Sequence, residues 1–100
     1  IFASRDPSAP EAGEWGLATR TVPEGTALES AVTLAQGLAK GPTQAFASSR
    51  RMLNASFNND FITQTDMETQ EIGANMTGAD GQEGLDAFIN TRRPTFTGRH

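Results

Sequence analysis

The sequence predicts a mainly α-helical fold, with a short helix and a short strand followed by four helices. Three stretches match a capping box, in which a Ser, Thr or Asp at the helix start is followed three residues later by Glu. Apolar residues then recur at intervals of three and four, which is the period of an α-helix. Gly and Pro separate these stretches, as expected where one helix ends and the next begins. The three pairs are Ser8 and Glu11, Thr26 and Glu29, and Asp80 and Glu83.

The first helix is expected to begin after Ser8 and to end at Gly16. Pro10 fits its first turn, where the missing N–H of a proline costs nothing. Residues 17–22 (LATRTV) alternate between apolar and polar and are rich in β-forming residues. We therefore expect a short strand there, ending at Pro23.

Two longer helices follow. Thr26 is expected to cap the second helix, which runs to about Lys40 and carries a stripe of small and branched apolar residues. Gly41 ends this helix, and Pro42 occupies the first position of a third helix that is expected over residues 42–56.

A fourth helix is expected over residues 60–76, with Asn59 as its cap. Its apolar stripe is thin, and its charged residues are all acidic. A thin apolar stripe on a long polar helix indicates either a partner interface or the edge of a small core.

The fifth helix is expected to begin at Asp80 as the N-cap residue. Its apolar residues are spaced so that they share one face. Arg92 and Arg93 are expected in its last turn, where cations complement the C-terminal carbonyls, and Pro94 ends it. The three residues on the apolar face are Leu85, Phe88 and Ile89.

Composition narrows the classes of function. Eight Lys and Arg against twelve Asp and Glu give a net charge of −4, which argues against binding nucleic acid or an anionic membrane surface. The absence of cysteine excludes disulfides, thiolate metal sites and thiol nucleophiles, and it fits the cytoplasmic location that we expect. No apolar run approaches the ~18 residues of a membrane span.

The residues themselves show no active site. His100 is the single histidine and stands last, where we expect no catalytic role, so no Ser–His pair is predicted and an HExxH zinc motif is impossible. Glu68 and Glu71 share a helix face and can in principle do acid/base work, but without a pocket signal an exposed acidic face is the favoured interpretation. For Arg50 and Arg51, a solvated face is favoured over a phosphate contact. We therefore expect no catalytic residue, no metal and no cofactor.

Three motifs resemble one known family. The string DGQEGLDAFINTRRPTFTGR is similar to the C-terminal signature of the crotonase superfamily, the enoyl-CoA hydratase/isomerase family. LAKGPTQAF is similar to a turn of that family, and SAPEAGEWGLATRTVP resembles a further segment. The last of these matches through Ala9, Ala12, Gly16, Leu17, Val22 and Pro23. The resemblance covers nearly the whole chain and implies the C-terminal helical region of a crotonase-type fold. The opening IFAS, without an initiator Met, is what we expect of a chain cut from a longer protein.

The resemblance implies that residues 1–23 form the end of the crotonase core. It also implies that residues 24–100 form a helical region that makes oligomer contacts and closes the CoA site. Crotonase enzymes bind acyl-CoA thioesters and stabilise an enolate with two backbone N–H groups of an N-terminal core. That core has no counterpart here, so no catalytic residue is carried over. The parent enzyme is expected to be a hydratase or isomerase of fatty acid metabolism, active as a trimer or dimer of trimers.

One binding position carries over from the family. Phe88 matches an aromatic residue that contacts the CoA of the adjacent subunit, whereas Thr91 stands where the family has a lysine. Arg92 is the candidate to take over the phosphate contact, although on a helix it would point about 100° further round. The alternative to this reading is a stand-alone helical interaction module without activity. A piece of a larger enzyme should expose apolar helix faces, for which we expect Leu28, Val32, Phe46, Leu53 and Ile72.

Overall fold

The computed structural model describes residues 6–99, and five α-helices make up the regular structure of that range. The mainly α-helical class is confirmed, and the helices lie within a few residues of their expected positions. His100 and residues 1–5 lie outside the described residues. The expectation that His100 has no catalytic role therefore stays a prediction. The helices are α1 Ala9–Glu14, α2 Ala27–Ala39, α3 Thr43–Ser56, α4 Phe61–Thr77 and α5 Ala79–Ile89.

The chain divides into two compact units, one up to Leu34 and one from Ala35 onward. In the first unit the predicted capping box of α1 is confirmed. Ser8 Oγ accepts the Glu11 N–H at 3.3 Å, and Glu11 Oε1 accepts the Ser8 N–H at 3.3 Å. The division expected at residues 23/24, between an enzyme core and a helical region, stays a prediction.

The strand expected over residues 17–22 is wrong, because the structure contains no strand within residues 6–99. The N–H groups of Leu17 and Ala18 donate instead to Ala12 O, at 2.9 and 3.1 Å. A strand needs a neighbouring strand to satisfy its backbone groups. None is available in the described residues, so alternation alone does not produce one.

The cap interactions expected at the starts of α2 and α4 are also wrong. Asp60, not Asn59, caps α4, because its Oδ1 accepts the Thr63 N–H at 2.8 Å, a bond that lowers the pKa of Asp60. Asn59 instead donates from Nδ2 to Gln64 Oε1 at 3.1 Å. The Thr26 hydroxyl donates to the carbonyl oxygen of Pro23 at 2.6 Å instead of forming its predicted box.

In the second unit α3 packs along α4, and α4 packs against α5. Asn75 of α4 reaches α3 by donating from Nδ2 to Ser48 Oγ at 2.8 Å, and Ser48 is buried. Gly81 allows α5 to approach α4, because a Cβ at this position would overlap the Asn75 carbonyl oxygen. At these two points the helices therefore meet through small and polar residues.

Few apolar side chains are removed from water. Among residues 6–99, Ala87 is the one apolar residue that is fully buried. The exposure predicted for the apolar helix faces is confirmed, since the five side chains named for it are 42–78% exposed. Those residues are Leu28, Val32, Phe46, Leu53 and Ile72. Apolar area of this extent on a folded chain indicates surfaces that other parts of a protein cover.

Candidate functional site at the end of α5

The carboxylate of Asp80 does not cap α5, so the predicted N-cap is wrong. Gly78 is the N-cap residue, and α5 begins at Ala79. Asp80 lies inside the first turn, is only 6% exposed, and accepts the N–H groups of Thr97 and Gly98 at 2.7 and 2.8 Å. These two donors satisfy the carboxylate, which therefore holds the last segment of the chain. We call residues 94–99 the C-terminal strap.

Glu83, the predicted partner of Asp80 in a capping box, holds the strap as well. Its Oε1 accepts the Thr95 N–H at 2.8 Å and lies 2.7 Å from Arg92 Nη1. The hydrogen bond from Arg92, followed by that from the Thr95 backbone, lowers the pKa of Glu83 to about 2. Asp80 and Glu83 thus accept three backbone N–H groups of the strap between them.

The helix ends one turn earlier than expected. Asn90 is the C-cap residue, and Thr91 follows it with a φ of 52°. The Arg92 N–H donates to Ala87 O at 3.0 Å, and the Thr91 N–H donates to Phe88 O at 3.3 Å. This pair of bonds is the Schellman motif, in which the left-handed residue reverses the chain. Arg92 and Arg93 therefore lie beyond the last turn of α5, contrary to prediction.

The Arg92 guanidinium is held by two carboxylates of α5. Nη1 lies 2.7 Å from Glu83 Oε1, and Nη2 lies 2.6 Å from Asp86 Oδ2. Hydrogen bonds to Glu83 and then to Asp86 raise the pKa of Arg92 above its usual range. Arg92 therefore fixes the chain after the Schellman turn against the side of α5.

The phenyl ring of Phe88 projects from this fixed turn and is 84% exposed. Its neighbour Ile89 is also exposed, whereas Ala87 is buried. All three residues of the apolar face expected on α5 are therefore exposed, since Leu85 is 43% exposed as well. Phe88 and Arg92 lie on either side of the turn, with the ring in solvent and the guanidinium beside its two carboxylates.

Sequence reasoning missed the Glu83–Arg92–Asp86 cluster. Partners on one helix face are separated by three or four residues, whereas Arg92 lies nine and six residues after its two carboxylates. Only the Schellman turn brings the guanidinium back to them. Pro94, already used to end the helix, does not give this position, because α5 ends at Ile89 and the residue with positive φ is Thr91.

Two other kinds of feature are absent from the described part of the chain. Residues 6–99 contain no group of three His, Cys, Asp or Glu side chains that could hold a metal ion. Within the same residues, no helix has the length and apolar character needed to cross a membrane. The expected cytoplasmic location stays a prediction.

Comparison with known proteins gives a family match over residues 1–99, described as Enoyl-CoA hydratase/isomerase. The 1,2-epoxyphenylacetyl-CoA isomerase of Escherichia coli (strain K12) is 35% identical over 92 residues, which are 92% of this chain and 35% of that protein. Enoyl-CoA hydratase domain-containing protein 3, mitochondrial, of Rattus norvegicus is 32% identical over 97 residues, 97% of this chain and 32% of that protein. The chain spans about a third of the length of these curated relatives.

Solved structures agree with the sequence matches. An enoyl-CoA hydratase from Bacillus anthracis superimposes with a TM-score of 0.85 at 30% identity, over 99% of this chain and 38% of that chain. An enoyl-CoA hydratase from Polaromonas sp. JS666 gives a TM-score of 0.85 at 28% identity, over 97% and 38%. The helices described above therefore have the fold of a helical portion of such structures.

Proposed function

The chain belongs to the enoyl-CoA hydratase/isomerase family, and on this premise we propose that it supplies the C-terminal helical region of an acyl-CoA-binding enzyme. The resemblance found in its motifs is confirmed, and so is the helical portion of the crotonase-type fold. In our proposal the region contributes contacts between subunits and part of the CoA site. The enzyme's catalytic groups lie in a core outside residues 1–100, and no metal or cofactor takes part.

The observation that carries this proposal is the 84% exposure of Phe88 at a rigid turn. Full burial of a Phe side chain is worth about 1.5–3 kcal/mol, so a phenyl ring left in water is available to a partner. The Schellman bonds and the Arg92 ion pairs fix the backbone on both sides of the ring. A ligand that contacts Phe88 therefore meets a preorganised surface, which lowers the entropic cost of binding.

Coenzyme A offers matching chemistry, because it joins an aromatic adenine base to a chain of phosphates and an extended arm. Stacking of a base on an aromatic side chain is worth about 1–3 kcal/mol. Since Phe88 points away from its own helical unit, we propose that it contacts CoA held by an adjacent subunit. This arrangement requires a homo-oligomer, for which we propose a trimer or a dimer of trimers.

The position of Arg92 beside Phe88 suits a contact with a CoA phosphate, but the charge around its guanidinium does not. One guanidinium faces two carboxylates, Glu83 and Asp86, so the cluster as a whole is negative. A CoA phosphate would have to replace Asp86, the more exposed of the two partners. We therefore propose that Arg92 is first a positioning residue for the turn that carries Phe88, and its phosphate contact stays a prediction.

Steady-state kinetics of the intact enzyme test the proposal. Phe88→Ala removes binding surface without touching the reacting atoms, so KM for an acyl-CoA should rise while kcat is retained. A loss of about 1–3 kcal/mol corresponds to a rise of about 5-fold to 150-fold. Phe57→Ala is the matched control, because Phe57 is at least as exposed as Phe88 but lies at the end of α3. An unchanged KM in Phe88→Ala would overturn the role of this ring.

A further inference from the structure

A second feature of the unit from Ala35 onward is independent of the proposed function. A cleft of about 350 Å³ lies between the start of α3, the end of α4, the start of α5 and the C-terminal strap. We call it the strap cleft. Its volume falls within the range of about 300–1,000 Å³ that is usual for clefts binding small molecules. Its principal lining residues are Pro42, Ala45, Met76, Leu85, Phe96 and Arg99.

The wall that the strap forms is fixed through both backbone polar groups of one residue, Gly98. The Gly98 N–H donates to Asp80 Oδ2 at 2.8 Å, and Gly98 O accepts from Gln44 Nε2 at 2.9 Å. The ring of Phe96 lies beside Gly84, at a distance where a Cβ would be in ordinary van der Waals contact. The strap is therefore a permanent wall of the cleft, tied to α3 and α5.

Most polar side chains in the lining are already committed. Both oxygens of Asp80 accept hydrogen bonds from the strap. Asn75 Nδ2 donates to Ser48 Oγ and to Glu71 O. Gln44 is used by Gly98, as described above. Both N–H groups of Asn75 Nδ2 are thus used, whereas Gln44 Nε2 uses one of its two.

Arg99 is the exception among the charged groups of the lining. The ion pairs within residues 6–99 are made by Arg51 and Arg92, and none involves Arg99. The strap cleft thus combines apolar walls with one cation that no carboxylate in the described residues neutralises. We propose that it binds a small apolar anion of the arylalkanoate class. The apolar part contacts Met76 and Phe96, and the carboxylate pairs with Arg99.

Phenylbutyrate is a suitable probe, because it joins a phenyl ring to a carboxylate through a short chain. A ligand of about a dozen heavy atoms at about −0.3 kcal/mol per atom binds with a dissociation constant on the order of 1 mM. Weak binding of this kind is measured well by NMR titration of the 100-residue chain. The amide signals of Gly78, Gly81 and Gly84, which line the cleft, should shift together along one saturation curve.

Two comparisons isolate the contribution of the ion pair between the ligand carboxylate and Arg99. Phenylbutanol has the same apolar part without the carboxylate, and it should bind about twofold to fivefold more weakly, the range expected for an exposed ion pair. In Arg99→Gln the acid and the alcohol should bind equally. Arg93→Gln is the matched control, because Arg93 is exposed and lies outside the cleft lining, so it should keep the preference for the acid.

Ala45→Phe provides an independent test by filling the cleft, and it should abolish the glycine shifts while circular dichroism remains helical. If this variant does not fold, Arg99→Gln still decides, since its side chain is exposed. The proposal is overturned if phenylbutyrate leaves the three glycine amides unshifted. It is also overturned if the shifts spread over the exposed helix faces, or if Arg99→Gln keeps a preference for the acid.

Discussion

Asp80 Oδ1 accepts the backbone N–H of Thr97 at 2.7 Å, from a residue 17 positions later in the chain. Its second oxygen accepts the N–H of Gly98. One carboxylate in the first turn of α5 thereby fixes the path of the strap after the helix. The wall of the strap cleft and the direction of the segment after the Schellman turn both depend on it.

Asp80→Asn should destabilise the chain. The amide keeps one acceptor but directs an N–H₂ group toward backbone donors, and a hydrogen bond to a buried charged group is worth about 1.5–3 kcal/mol. We expect a loss of this size in the free energy of unfolding, measured by urea denaturation. Asp66→Asn serves as the control, because Asp66 is an exposed residue of α4. Equal stability of the two variants would show that the strap is not held by this carboxylate.

Thr91→Gly should stabilise the chain. Thr91 has a φ of 52°, a left-handed conformation that costs an L residue about 1–2 kcal/mol and that glycine adopts freely. Part of the gain is lost to the greater freedom of glycine in the unfolded chain. We expect a net gain of about 1 kcal/mol, seen as a higher denaturation midpoint with an unchanged slope. Thr95→Gly, at a residue without positive φ, should lower the midpoint instead, and a lower midpoint for Thr91→Gly would contradict the Schellman turn.

Acid should weaken the strap through Glu83. The ion pair with Arg92 lowers the pKa of Glu83 from 4.5 to about 2. A group whose pKa is lower in the folded state contributes stability above its unfolded pKa and loses it as the pH falls toward the folded one. Stability should therefore decrease between about pH 5 and pH 2.

Urea unfolding across this pH range compares wild type with Glu83→Gln. The variant should show a shallower decrease, because glutamine does not titrate. Glu24→Gln, in an exposed turn, should follow the wild-type curve. Glu71, whose pKa is also lowered to about 2, chiefly by its hydrogen bond with Arg51, will keep part of the decrease in every variant. Identical curves for wild type and Glu83→Gln would exclude a stabilising Glu83–Arg92 pair.

The elements that the sequence predicted correctly are those with local causes. The box of Ser8 and Glu11 joins residues three apart, so its partners can be identified by counting. The boundaries of α3 follow from Pro42 at its start and the Asn pair after its end. The spacing of apolar residues and the positions of Gly and Pro depend on contacts within one turn of helix. They were sufficient to predict the positions of all five helices.

Three of the errors share one physical reason, which is that the partner is distant in sequence or outside the described residues, whereas the errors at Asn59 and Thr26 concern bonds between residues three apart. Asp80 had a capping pattern, but its donors belong to the strap. The six-residue stretch expected as a strand had β-forming residues but no strand to pair with. Arg92 returns to Glu83 only because Thr91 reverses the chain. Sequence periodicity contains no information about such contacts.

The exposed apolar faces predict self-association of the 100-residue chain. Leu53 and Ile72 are each more than half exposed, and contiguous apolar patches of more than a few hundred Å² favour partners. Light scattering in the micromolar range should give a dimer, a trimer or a helix-exchanged form. Ile72→Ser should lower the average mass, whereas Thr69→Ser, one turn earlier on α4, should not. A monomer at all concentrations would contradict this prediction.

We propose above that Phe88 completes the CoA site of a neighbouring subunit. The most direct measurement is a crystal structure of the intact enzyme with a CoA thioester bound. We predict that the Phe88 ring lies within about 4 Å of CoA atoms held by an adjacent subunit, with Arg92 still paired to Glu83. A Phe88 ring packed against its own subunit, or left in solvent away from CoA, would contradict the proposed function.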